Sequence, residues 1–182
     1  MNDTEFAMTS RFIRFAVFSA VFAVLSFAPS VLPAADSAPK TDESGWILPG
    51  AAMGEGWHIR LKDARAEAAK YDQPIIILFS GPDWSTSSKK FESSVFKSKE
   101  FAPMRSVLVC LYVQHFVNIS APEEQVSANQ SLRKALGVPS VYPCTVILAS
   151  DGKKVLGTIS GALDRKAYLK EVCKLAGIDA PE

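Results

Sequence analysis

The chain has 182 residues, of which 48% are hydrophobic and 21% charged, with 20 Lys and Arg set against 19 Asp and Glu. That length suits one well-packed domain and is short for two. The even charge balance, without a run of either sign, argues against nucleic acid or any strongly charged partner.

At the N-terminus Arg11 and Arg14 precede an apolar stretch from Phe15 to about Ala28, followed by Pro29, Pro33, Ala34 and Ala35. This is the order of a secretory signal. Asp3 and Glu5 are unusual in such a leader, which makes Met8 a candidate start beside Met1. Residues 1–35 are therefore read as a signal peptide. The alternative is an uncleaved anchor, since Phe15 to Ala35 is just long enough to span a bilayer. Both readings put the folded part outside the cytoplasm, in a periplasmic or extracellular setting, and only the anchor implies contact with a membrane.

Residues 36–56 hold Asp, Ser, Pro, Thr and Gly with little periodicity and read as a linker leading to Trp57. Leu61, Ala64, Ala68 and Tyr71 then recur at three- and four-residue steps, the pattern of an amphipathic helix. Pro74 ends it and introduces the strand Ile75 to Phe79, whose unbroken apolar run suits burial on both faces. Ser80-Gly81-Pro82-Asp83 breaks the strand, and a helix from Trp84 onward places Ser88, Phe91 and Val95 on one side. Ser98 is a cap for a second short helix carrying Phe101 and Met104.

Val107 to Val113 is the next buried strand. Ser120-Ala121-Pro122-Glu123 has capping-box spacing, and its helix is expected to stop at Gly137. Cys144 to Ala149 is a third strand, joined by the turn Ser150-Asp151-Gly152-Lys153 to a fourth from Lys154 to Ile159. Asp164 caps a last helix with Leu169, Val172, Cys173 and Ala176 inward. Alternation followed by a hairpin predicts an α/β domain with a mixed sheet and helices on both faces.

The three cysteines are Cys110, Cys144 and Cys173. In an exported chain an odd count leaves at least one unpaired, unless it bridges to another chain. Cys110 and Cys173 sit among apolar neighbours and are expected as small core residues, a Cys110–Cys173 bridge being the alternative. The two histidines, His58 and His115, are not placed to serve Ser85 as a base and have no metal-ligand spacing with the cysteines. No metal and no cofactor are expected. The sequons at Asn118 and Asn129 matter only in a eukaryotic secretory pathway.

Gly81-Pro82-Asp83-Trp84 before a helix, and Gly137-Val138 followed by Tyr142-Pro143 before a strand, resemble the thioredoxin-like family in order and spacing. The resemblance covers about Trp57 to Ala176, giving a domain at 57–178. It is closest to an exported branch whose active segment reads Gly-Ser-Asp-Trp-Cys-x-x-Cys; here Ser85 and Ser88 stand where the cysteines would be. The resemblance implies a thioredoxin-like fold with a central mixed sheet of four to five strands and helices on both faces. It also implies that positions 85 and 88 carried the attacking and resolving thiols. A helix N-terminus contributes on the order of 1 kcal/mol, far too little to ionise a serine hydroxyl. Ser85 is accordingly expected to cap the helix.

The family's cis-proline is placed at Pro143, so Trp84, Tyr142 and Pro143 form the expected groove for an extended peptide. The family's buried acid is expected to be missing, because Ile75 to Phe79 is wholly apolar. The resulting expectation is an exported thioredoxin-fold binding or accessory domain without dithiol–disulfide exchange, whose partner is a protein or extended peptide. The alternative is thiol chemistry through the single Cys144; against it, Cys144 reads as a small residue starting a buried strand.

Overall fold

The computed structural model describes residues 38–179, so the leader read at residues 1–35 lies outside the described residues. Nine elements follow in order: β1 Trp57–His58, α1 Leu61–Tyr71, β2 Ile75–Ser80, α2 Thr86–Val95, β3 Val109–Gln114, α3 Glu123–Ala135, β4 Cys144–Leu148, β5 Val155–Ser160 and α4 Arg165–Ala176. A 3₁₀ turn, Ala102–Ser106, lies between α2 and β3.

The sheet order is β1-β3-β2-β4-β5. β2 runs parallel to β3, with Ile75 opposite Val109, and antiparallel to β4, with Phe79 opposite Cys144. The apolar run of β2 is explained by this central place: all six residues are buried, and alternate side chains feed opposite layers. Ile76 and Leu78 join Phe91, Val95, Tyr168 and Val172, so α2 and α4 cover that face. Ile75, Ile77 and Phe79 join Ala64, Ala68 and Leu132 under α1 and α3. The mixed sheet with helices on both faces is the expected architecture, with five strands.

Several local expectations need correction. The two-residue β1, paired with Cys110 and Leu111, is too short for period-two alternation to reveal it. The strand expected from Val107 starts at Val109, and Val107 is exposed. Ser120 does not cap α3: Pro122 holds the N-cap position, with no side-chain hydrogen bond. Asp164 does cap α4, accepting from Ala167 N at 3.1 Å.

Residues 38–56, expected as part of a linker, form a strap packed on the domain. Trp46 and Ile47 are 5% exposed and Met53 is fully buried. Asp42 accepts from Ser44 N and Trp46 N, both at 2.9 Å, and pairs with Arg60, whose guanidinium lies 4.2 Å over the Trp46 ring. The Arg60 hydrogen bond lowers the Asp42 carboxyl to about 2. The Gln125 amide clasps the main chain of Ile47, accepting from its N–H at 2.8 Å and donating to its carbonyl at 3.0 Å. Three isolated apolar anchors give no periodic signal, while the polar residues between them make turns.

Candidate functional site

Four loops meet at one end of the sheet. Gly81-Pro82-Asp83-Trp84 leaves β2, His115 to Asn118 leaves β3, Ser140 to Pro143 enters β4, and Gly161 to Leu163 leaves β5. The Trp84 ring meets Tyr142 edge-on at 5.3 Å and His115 at 5.8 Å, and His115 stacks on Tyr142 at 5.5 Å. Each such pair contributes about 0.5–1.5 kcal/mol beyond its burial. Trp84 Nε1 donates to the His115 carbonyl at 2.9 Å. The Tyr142–Pro143 peptide bond is cis, and the Pro143 carbonyl accepts from Gly161 N at 2.9 Å. Trp84, Tyr142 and Pro143 are thus brought together.

Asp83 ties two of these loops. Its carboxylate accepts from Val117 N and Asn118 N, each at 2.8 Å, and its carbonyl accepts from the Asn118 side chain at 2.8 Å. An acid beside a strand break reads in sequence only as a turn residue, so this role was not visible there. Gly81 has a physical reason too: a Cβ at that position would lie 2.3 Å from Trp84 Nε1.

Ser85 is the N-cap of α2, its Oγ accepting from Ser88 N at 3.2 Å. Ser88 is fully buried, and its Oγ has no hydrogen-bond partner among the described residues. Neither serine is hydrogen-bonded to a histidine: His115 lies beside Trp84, and His58 pairs with Glu67. The arrangement caps a helix, and among the described residues no histidine is placed against either hydroxyl. Among the described residues no cluster of His, Cys, Asp or Glu could hold a metal.

Strand β2 carries no acid, and the buried acid of this region is a different one: Glu92 of α2, one turn after Ser88. Only 2% of it is exposed, and its Oε1 accepts from Ser80 Oγ at 2.6 Å and Tyr112 OH at 2.9 Å. Burial raises its pKa, partly opposed by those two hydrogen bonds. Its spacing was the available signal, because a residue four positions after Ser88 shares the face of Phe91 and Val95.

Cys144 is 1% exposed and belongs to the core layer under α1 and α3, whereas α2 with Ser88 covers the opposite face. Burial pushes its thiol up, partly offset by Ser160, whose Oγ is 3.9 Å from Sγ, and by Arg133. Cys110 and Cys173 are both free and buried, so the alternative of a bridge between them is not what the structure holds. Burial lifts the Cys110 thiol to about 12. Of the two sequon asparagines, Asn118 is exposed and Asn129 is buried, donating to the Gln114 carbonyl at 2.9 Å.

The sheet order, the helix layers and the loop geometry define the class: the chain has the thioredoxin-like fold. No family model matches it. Among solved structures it is similar to one described as DsbH Oxidoreductase, with a TM-score of 0.60 at 22% identity over 72% of this chain and 92% of that one. A thioredoxin from Thermus thermophilus aligns with a TM-score of 0.52 at 18% identity, covering 68% of this chain and 88% of that one. In sequence the chain is 23% identical over 100 residues to the thioredoxin-related protein DsbJ of Chlamydia pneumoniae. That match takes in 54% of this chain and spans little more than a quarter, 28%, of DsbJ. Among the described residues no helix is long and apolar enough to cross a membrane.

Proposed function

We propose that this chain is an exported binding or accessory domain that holds an extended segment of a protein partner beside Pro143 and performs no dithiol–disulfide exchange. Export is supported by the order of charged, apolar and small residues in the leader. Loss of exchange is supported by the chemistry at positions 85 and 88: a serine neither ionises near neutral pH nor forms a disulfide.

The observation that carries the binding role is the main chain of Tyr142. Neither its N–H nor its carbonyl has a hydrogen-bond partner among the described residues, although strand β4 begins two residues later. An unpaired stretch continuing a sheet strand is the element that takes up an extended peptide by main-chain pairing. The surrounding loops supply apolar contacts. Four of the seven exposed large apolar side chains among the described residues, Trp84, Val117, Val141 and Leu163, sit on the four loops that meet here. Exposed apolar surface gathered around unpaired backbone favours a partner over solvent.

The test has two parts. Insulin reduction by dithiothreitol is expected to run at its background rate in the presence of the protein; acceleration would refute the loss of exchange. Titration with extended apolar peptides, followed by amide NMR shifts, is expected to move Trp84, Tyr142 and Gly161 first. Shifts centred elsewhere would remove the groove from the proposal.

A further inference from the structure

Tyr142 lines a cavity of about 20 Å³ together with Phe79 and Val113 of the core, Gln114 and His115 at the end of β3, and Asn129 and Arg133 of α3. A space of that size holds one water molecule, provided that two or more polar groups face it. Two polar atoms of residues lining it, Arg133 Nε and Tyr142 Oη, are buried and have no hydrogen-bond partner among the described residues. Buried donors left in that state are costly, and a bound water is the usual remedy.

Arg133 touches the same loop at two further points. Its guanidinium lies 5.6 Å from the Tyr142 ring centre, and it donates to Ser140 Oγ at 2.7 Å. It has no carboxylate within ion-pair distance among the described residues. Its hydrogen-bonding capacity is therefore directed at residues 140–142.

We propose that Arg133 is the residue that positions Tyr142, acting through a water molecule bound between Arg133 Nε and Tyr142 Oη together with its contacts to the ring and to Ser140. The Nε–H donates to the water, and the Tyr142 hydroxyl exchanges a hydrogen bond with it. Helix α3 thereby fixes the loop whose main chain is left unpaired. The consequence for peptide binding rests on the groove reading above; the water bridge does not.

The test is a high-resolution crystal structure of the full chain, with and without bromide in place of chloride, combined with a double-mutant cycle. One ordered water is expected within about 2.7–3.2 Å of both atoms. Tyr142→Phe keeps the ring and Arg133→Lys keeps the charge. Each is expected to lower the folding equilibrium constant about five-fold, and the double variant little further, because both remove one bridge. A cavity without ordered solvent, a bromide peak in the anomalous map, or effects that multiply to about 25-fold in the double variant would overturn the proposal. In the peptide titration Arg133→Lys is expected to weaken binding several-fold. A coupled water bridge with unchanged peptide affinity leaves Arg133 as the residue that positions Tyr142 and refutes the groove reading alone.

Discussion

Restoring both thiols is the most direct way to ask whether positions 85 and 88 are the place of a lost dithiol. In the Ser85→Cys/Ser88→Cys variant, the side chain at 85 starts from an N-cap geometry in which its γ-atom already reaches Ser88 N at 3.2 Å. Loss of the cap costs about 1 kcal/mol. Replacing the buried, unpartnered Ser88 hydroxyl with a thiol recovers a similar amount, because sulfur tolerates an apolar site. The variant is thus expected to fold with near wild-type stability. The helix N-terminus stabilises a thiolate at position 85 by up to about 1 kcal/mol, which moves a thiol of pKa about 8.5 down by about 0.7 unit. At pH 7 the thiolate fraction rises from about 3% to about 15%, enough for measurable exchange. The assays are intact mass in a glutathione buffer, where glutathione disulfide takes two hydrogen atoms from the dithiol and leaves the oxidised variant lighter by that amount, and insulin reduction. An unchanged mass across the whole redox range would show that the two positions are not apposed, and the reading of a lost dithiol would fall with it.

Other perturbations follow from the same geometry. Ser85→Ala is expected to lose about 1 kcal/mol in urea unfolding and Ser88→Ala to gain about 1 kcal/mol, opposite signs from two serines three residues apart. Glu92 has a raised folded pKa, so the native state holds its proton more tightly than the unfolded chain does. Wild-type stability should therefore fall as pH rises from about 4.3 through the folded pKa and level off above it, with a slope no steeper than about 1.4 kcal/mol per pH unit. Glu92→Gln should flatten that fall, and an unchanged profile would remove Glu92 as its cause. Gln125→Ala leaves the Ile47 N–H and carbonyl without their clasp and is expected to cost about 2 kcal/mol, with faster amide exchange confined to the strap.

Most of the fold was legible because burial leaves a periodic mark. The run Ile75 to Phe79 is continuous because β2 is covered on both faces, and Ala64 with Ala68 marks the inward stripe of α1. Ser85 and Asp164 were readable as caps because short polar side chains there accept the orphan N–H groups of the first turn. What escaped does its work singly. Trp46, Ile47 and Met53 anchor the strap without repetition, and two-residue β1 has no alternation to show. The candidate site was half legible: Trp84, Tyr142 and Pro143 lie next to turn signals, whereas Asp83 and Glu92 meet partners 12 to 35 positions away and Arg133 acts from a helix onto the loop that follows it. Glu92 meets Ser80 and Tyr112 through tertiary packing, and the cavity lined by Arg133 and Tyr142 combines α3 with a loop nine residues further on.

The way polar groups are spent around α2 bears on what the region is for. An interface shaped for stability alone would place apolar residues at positions 88 and 92, since a buried unpaired hydroxyl and a buried carboxyl each carry a desolvation cost. Here the Ser88 hydroxyl stays unpaired, and Glu92 draws on both Ser80 and Tyr112 to be accommodated. The loops above repeat the pattern: Asp83 holds a rim that leaves Trp84, Val117 and Val141 exposed, and the Tyr142 backbone remains unpaired beside a sheet that could have extended to it. Local departures from the most stable packing, gathered in one region of an otherwise consistent fold, are what a functional surface requires. On the proposed reading, that function is met by the shape and hydrogen-bonding capacity of the groove. If so, Ser88→Ala, which stabilises the fold, leaves peptide affinity unchanged, while Trp84→Ala lowers affinity and also costs about 1–3 kcal/mol of stability through its two ring pairs and its hydrogen bond to the His115 carbonyl.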